Sequence, residues 1–339
     1  MKKAAALVFV FVCAGAAVFG QQVDVVYVDG YVDIKLAGGE RMEALIGDYL
    51  EKGDTIITDQ NSLAELEQQN GAIIKIAEDT IFTLREITQG GEKRTVLSTT
   101  VGAVAFKFAM MTGKEPLIAT PGTVAGVRGT EFQIFAGLDG ATLVVVASGK
   151  VEVEAQGKTV ELLPEEGVEV PAGSPPGEKF EVLRGQLDFS AWNSGRLESM
   201  IEDPPGSIRG IEKGMEAFRA KIGELNPLYE ANYEQLQAER EKLPVLEKEK
   251  GKEARSDYYK DVVAPLELET TYLRLNLRYY ALSALSFRRY VLGPMYARVT
   301  SAYINSLDSV EYTDFLRVYE GIISDYNRDI APFLVEADI

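Results

Sequence analysis

The 339 residues are 46% hydrophobic and carry 52 acidic against 35 basic side chains, a formal charge of −17. That length is on the scale of two domains, and that charge disfavours a nucleic-acid-binding surface, because phosphates would meet net repulsion. There is no histidine, which excludes His-based triads and general bases, HExxH peptidases and His-containing zinc sites.

Lys2 and Lys3 precede an apolar run from Ala4 to Phe19 that ends in Gly20-Gln21-Gln22. This is the layout of a secretory signal peptide, assigned to 1–20, with cleavage near Gly20. Cleavage there removes Cys13, the one thiol, and Val12 in front of it does not suit a lipoprotein signal. No later window approaches the roughly 18 apolar residues of a membrane span. The expectation is an extracytoplasmic, periplasmic chain with no transmembrane span.

From Val23 to 171, short β-branched runs recur between Gly, Asp and Asn, the pattern of an all-β sandwich or solenoid-like domain. Val151 and Val153 alternate with Glu152 and Glu154, and Phe82 and Leu84 with Thr83 and Arg85, which predicts half-buried strands. Turns are predicted at Asp29-Gly30, Gly38-Gly39, Asn70-Gly71, Gly90-Gly91, Asp139-Gly140, Ser148-Gly149 and Gln156-Gly157.

Inside this region lies Thr120-Pro121-Gly122-Thr123-Val124-Ala125-Gly126-Val127-Arg128-Gly129-Thr130-Glu131-Phe132. It fits neither the Walker A loop nor GxGxxG, and strand-like residues follow where those motifs need a helix. A mechanical reading suits it: Pro121-Gly122 turns the chain, Gly126 and Gly129 permit close backbone approach, and Arg128 anchors a corner with its several donors. With Gly53-Asp54-Thr55-Ile56 and Ala64-Glu65-Leu66 upstream and Val144 to Val153 downstream, the string resembles the FecR-type extracytoplasmic domain over about 46–171. The resemblance implies the β fold and an extracytoplasmic location. Sigma-factor regulators of that family carry a cytoplasmic segment and a membrane span ahead of this domain. Here only the leader precedes Val23, so anti-sigma activity is not expected to carry over.

A Pro- and Gly-rich module follows at 172–206, containing the only tryptophan, Trp192, which is expected to pack between domains. The chain from 207 to 339 then turns to Glu, Lys, Leu, Ala and Tyr with helical spacing, predicting an α-helical bundle or hairpin. Helices are predicted at 208–225, 228–243, 245–261, 265–291, 295–307 and 311–330, divided by Pro227, Pro244, Pro265 and Gly293-Pro294. In the last, Tyr312, Tyr319 and Tyr326 recur every seven residues as a core seam or, alternatively, a partner-docking face. Between Thr270 and Leu307 there is no acid, while Arg274, Arg278, Arg288, Arg289 and Arg298 all fall there. They are expected to pair with acids of the neighbouring helices, for instance those between Glu230 and Glu253, the alternative being a basic face for an anionic surface.

Carboxylates two apart on a strand, such as Glu65 with Glu67 or Glu152 with Glu154, and the adjacent pair Glu165 and Glu166, are the candidates for glycosidase chemistry. The same alternation describes a solvated strand face in an acid-rich chain. The sequence therefore reads as an exported, non-catalytic binding or scaffold protein of the cell envelope. No cofactor is expected; the partner would be an envelope protein or cell-wall polymer. An envelope signal-relay component and, less favoured, a carbohydrate-active enzyme are the alternatives.

Overall fold

Alternating apolar and polar residues pleat the first half of the chain into antiparallel strands whose inward faces share one core. The computed structural model describes residues 23–108, 115–182 and 189–335, the side chains of Arg128 and Val335 excepted. The proposed leader lies outside these residues. The strands are β1 (Val23–Asp29), β2 (Val32–Lys35), β3 (Arg41–Glu43), β4 (Tyr49–Leu50), β5 (Thr55–Thr58), β6 (Leu63–Gln68), β7 (Ile73–Ile76), β8 (Ile81–Gln89) and β9 (Glu92–Lys107). They continue with β10 (Leu117–Ala119), β11 (Val124–Ala136), β12 (Thr142–Ala155), β13 (Lys158–Leu162), β14 (Glu166–Val170) and β15 (Lys179–Glu181).

β9 is the spine. Its first half pairs with β8, its second half with β7 and β11, and only β10 runs parallel to it. Phe106 on β9 stacks on Phe132 of β11 at 5.0 Å in the centre of the core. The predicted turns fall between consecutive strands except Ser148-Gly149, which lies inside β12. There β11 and β12 slip register between Arg128 and Glu131. A Cβ on Gly149 would stand 2.6 Å from the Gly129 carbonyl oxygen, and both glycines have positive φ, so the pair forms a bulge with close backbone contact.

The second half is helical, giving a β-plus-α chain: α1 (Phe189–Glu202), α2 (Pro204–Tyr258), α3 (Ala264–Phe287), α4 (Gly293–Ala302), α5 (Val310–Asp329) and α6 (Pro332–Val335). Single π turns at Tyr259–Val263 and Arg288–Leu292 join α2, α3 and α4 without a stop. Asp203 caps α2 by accepting the Gly206 amide at 3.0 Å, with proline in its first turn, where a missing donor costs nothing.

The helix boundaries differ from the sequence reading. Pro227 and Pro244 sit inside α2 and do not divide it, whereas Gly251, with φ 87° and ψ 174°, breaks its helical backbone. The chain reverses there into an antiparallel hairpin. Arg255 pairs with Glu247, Thr270 bonds Asn232, and the Phe287 ring lies against Gly214. Interior prolines cost about 3 kcal/mol in an isolated helix, but packing against the facing limb compensates. Beyond Asn232 and Thr270 the two limbs run about 28 Å further to Gly251. Leu236, Leu243 and Val263, with Tyr258 and Leu266 against them, make a small core of hairpin residues alone. Near the base, α5 packs along α2, where Arg219 holds Asp325 and Asp329.

Candidate functional site

Besides apolar packing such as Val101 of β9 in the helical core, polar bonds join the β region to the helices at the β8 edge and through α1. The first contact forms because β5 stops pairing at Thr83, leaving one edge of β8 open from Arg85 onward. A bare strand edge presents unpaired amides and carbonyls, and α3 covers this one. Asn276 imitates a neighbouring strand: the Thr88 amide donates to its Oδ1 at 2.7 Å, and its Nδ2 donates to the Thr88 carbonyl at 2.9 Å. Three residues earlier, Arg85 donates from Nη2 to the Leu282 carbonyl at 3.3 Å and to Ser286 Oγ at 2.7 Å.

Arg85 is 7% exposed. The sequence placed it with Thr83 on a solvated face of β8, yet both are buried, because α3 covers that face. Among the described residues no carboxylate pairs with it, and its Nε has no hydrogen-bond partner. Burial lowers its pKa to about 10 and pushes the neighbouring Tyr279 hydroxyl up to about 12. In front of it opens a cleft of about 380 Å³ between β2, β5, β8 and α3. Burial lowers the Lys35 pKa there, with Arg289 and Arg41 adding repulsion.

The second contact is built on α1. Arg196 donates to Asp139 Oδ2 in the β11–β12 turn at 2.8 Å and to Glu169 of β14 at 2.6 Å. Phe189 stacks on Phe135 at 4.8 Å and on Trp192 at 5.8 Å, so the lone tryptophan packs where strands meet helices. Gly140 in the same turn admits Ile211 and Phe287; a Cβ there would lie 3.0 Å from the first and 3.2 Å from the second.

The glycine-rich string stands at the edge of the first contact. Thr120 is buried, its hydroxyl 2.7 Å from that of Thr142, and Thr120 and Pro121 adjoin Arg85, Tyr279 and Ser286 at the foot of the cleft. The rest of the string leads away. Phe132 is core, Thr130 is buried, Glu131 faces solvent, and Gly122 and Gly126 face open space. Gly126 is therefore not a close-approach residue; Gly129 is. The backbone of Arg128 pairs with Lys150, and its side chain lies outside the described part of the structure.

Among the described residues Arg274, Arg288, Arg289 and Arg298 form no ion pair with the acids of 230–253. The register about Gly251 sets those acids opposite the start of the return limb, where Glu267 meets Arg240. Arg288 lies 4.6 Å over the Tyr326 ring and Arg289 5.9 Å from that of Tyr290, while Arg274 and Arg298 face solvent. Arg278 and Arg289 line the cleft. Tyr312 and Tyr326 are buried in the helical core and Tyr319 stacks on Tyr296 at 4.4 Å, so the two buried tyrosines offer no docking face.

The paired acids are solvated or engaged by lysines. Glu65 meets Lys75 at 2.9 Å, Glu67, Glu152 and Glu154 are exposed, and Lys179 with the Leu163 amide holds Glu166 below the usual carboxylate range. No group of three metal-ligating side chains occurs among the described residues. No described helix is long and apolar enough to cross a membrane.

The FecR protein family model matches residues 54–152. The chain carries a FecR domain. That domain runs from Asp54, whose carboxylate accepts the Ala37 and Glu51 amides, through β8 and the glycine-rich string to Glu152. No curated protein matches the chain. Two crystal structures of a putative anti-sigma factor from Parabacteroides distasonis are similar at 21% identity, with TM-scores of 0.33 and 0.34. The matches cover 38% and 41% of this chain and 59% and 63% of those, so the chain spans about three fifths of their length. A structure described as a cell surface anchoring domain is similar at 20% identity and a TM-score of 0.18, over 19% of this chain and 84% of that one. The matched residues include β8 with Arg85, whereas Lys35 and Lys52 of the same cleft precede them.

Proposed function

We propose that the protein is an extracytoplasmic relay component in which the FecR domain receives a stimulus and the helical hairpin presents it to a membrane partner. One observation carries this reading: the strand of the FecR domain that holds Arg85 and Thr88 is bonded directly to the return limb of the hairpin. A passive scaffold, the main reading of the sequence, has no need of polar bonds between a receiving domain and an arm. Polar joints are a natural place for a two-state contact, since their bonds can be exchanged for others at small net cost. In the same reading residues 1–20 are a cleaved leader, 23–171 the receiving domain, 172–206 the joining module and 207–339 the transmitting part. Anti-sigma activity is not part of the proposal.

Photo-crosslinking in cells from Lys248 and Lys252, both exposed at the arm tip, tests it. The expected adduct is a membrane-spanning protein, with a yield that changes when Asn276→Ala loosens the joint. Adducts with wall polymer alone, indifferent to Asn276→Ala, would restore the scaffold reading.

A further inference from the structure

The cleft beside the joint is rich in cations. In a chain of charge −17, its lining holds Lys35, Lys52, Arg85, Arg278 and Arg289 against one acid, Glu86. That acid is already engaged by Lys52 and Lys93. Cations gathered this closely repel, and Arg85 is buried with an unpartnered Nε and no carboxylate beside it among the described residues. A buried guanidinium in that state is costly unless something negative shares its surroundings.

We propose that this cleft binds a small organic anion bearing a phosphate or carboxylate group, with Arg85 at its floor and Lys35 and Arg289 at its mouth. Guanidinium groups present forked donors that match the oxygens of either group. The volume of about 380 Å³ suits a small molecule, and Leu282, Leu285 and Tyr290 give it an apolar wall for a carbon skeleton. A flat surface such as a lipid headgroup layer cannot reach a residue that is 7% exposed, so the source is a soluble molecule. Burial first, and then Arg289 and Arg41, lower the Lys35 pKa, and a bound anion would favour its charged form. As a binding site the cleft stands on its own geometry; as the receiver of a stimulus it rests on the relay reading.

Calorimetric titration of the whole protein with inorganic phosphate and with glycerol 1-phosphate, at matched ionic strength, decides it, with sedimentation on phosphatidylglycerol vesicles as a third arm. The expected result is saturable binding of glycerol 1-phosphate with a Kd of about 1 mM or tighter, and weaker binding of phosphate. Lys35→Gln and Arg289→Gln should each weaken it about fivefold or more, and Arg85→Met should abolish it. Should Arg85→Met fail to fold, the two mouth variants carry the comparison, since neither residue forms an ion pair among the described residues. Absence of saturable binding, binding unchanged in both mouth variants, or binding to vesicles alone would overturn the proposal. Binding that leaves arm crosslinking unchanged would sink the relay reading and keep the site.

Discussion

Arg85 holds its charge behind the cleft with a helix carbonyl and a hydroxyl as its bonding partners. Both acceptors lie on α3, where the helix's own bonds can satisfy them, so removing the guanidinium leaves no orphan. Arg85→Met should therefore change unfolding free energy by less than about 1 kcal/mol, or raise it, because a lone buried cation is replaced by an apolar chain. A denaturant midpoint lowered by several times that amount would make Arg85 a structural post. Asn276 is the opposite case, since Asn276→Ala strands the amide and carbonyl of Thr88 together. A loss of about 1 to 3 kcal/mol is expected in the same titration. Neither residue was legible: alternation along β8 put Arg85 on a wet face, and nothing near Asn276 marks it as a strand mimic. Alternation reports on one sheet at a time, and the second cover came from a helix nearly 200 positions away.

At the level of elements, strand and turn positions were legible because glycine-bearing turns and period-two patterning are local properties. The Ser148-Gly149 bulge was misread as a turn because both need positive φ, and only pairing with Gly129 separates them. Helix boundaries failed for a different reason. Proline is a strong local breaker, yet a long facing limb outweighs it at Pro227 and Pro244. The signal for the reversal was Gly251, the only glycine between Gly223 and Gly293. Its φ and ψ belong to a region that is essentially glycine-only, so Gly251→Ala should cost about 1 to 3 kcal/mol although open space surrounds it. Pro244→Ala should act in the other direction, by up to about 3 kcal/mol, since it restores a helical donor. Thermal melts followed by circular dichroism check both, and equal effects of the same sign would contradict this account of the hairpin.

Across the whole molecule, the β-plus-α division and the FecR resemblance were legible, whereas the joint between the halves was not. It depends on register about Gly251, which decides that Asn276, Tyr279 and Ser286 meet β8 while the acids of the outgoing limb lie further along the arm. The α1 contact should contribute too. Arg196→Met leaves Asp139 and Glu169 without their partner and should cost about 1 to 3 kcal/mol, with an early change in Trp192 fluorescence on unfolding. In the relay reading the FecR domain and the hairpin behave as one coupled unit. Hydrogen exchange of the full chain, wild type against Asn276→Ala, tests that most directly, because local opening is read amide by amide. Coupling predicts faster exchange in β8 from Arg85 to Gln89, in α3 around Asn276, and outward along the arm toward Gly251. Faster exchange confined to the residues touching position 276, with the arm unchanged, would contradict it.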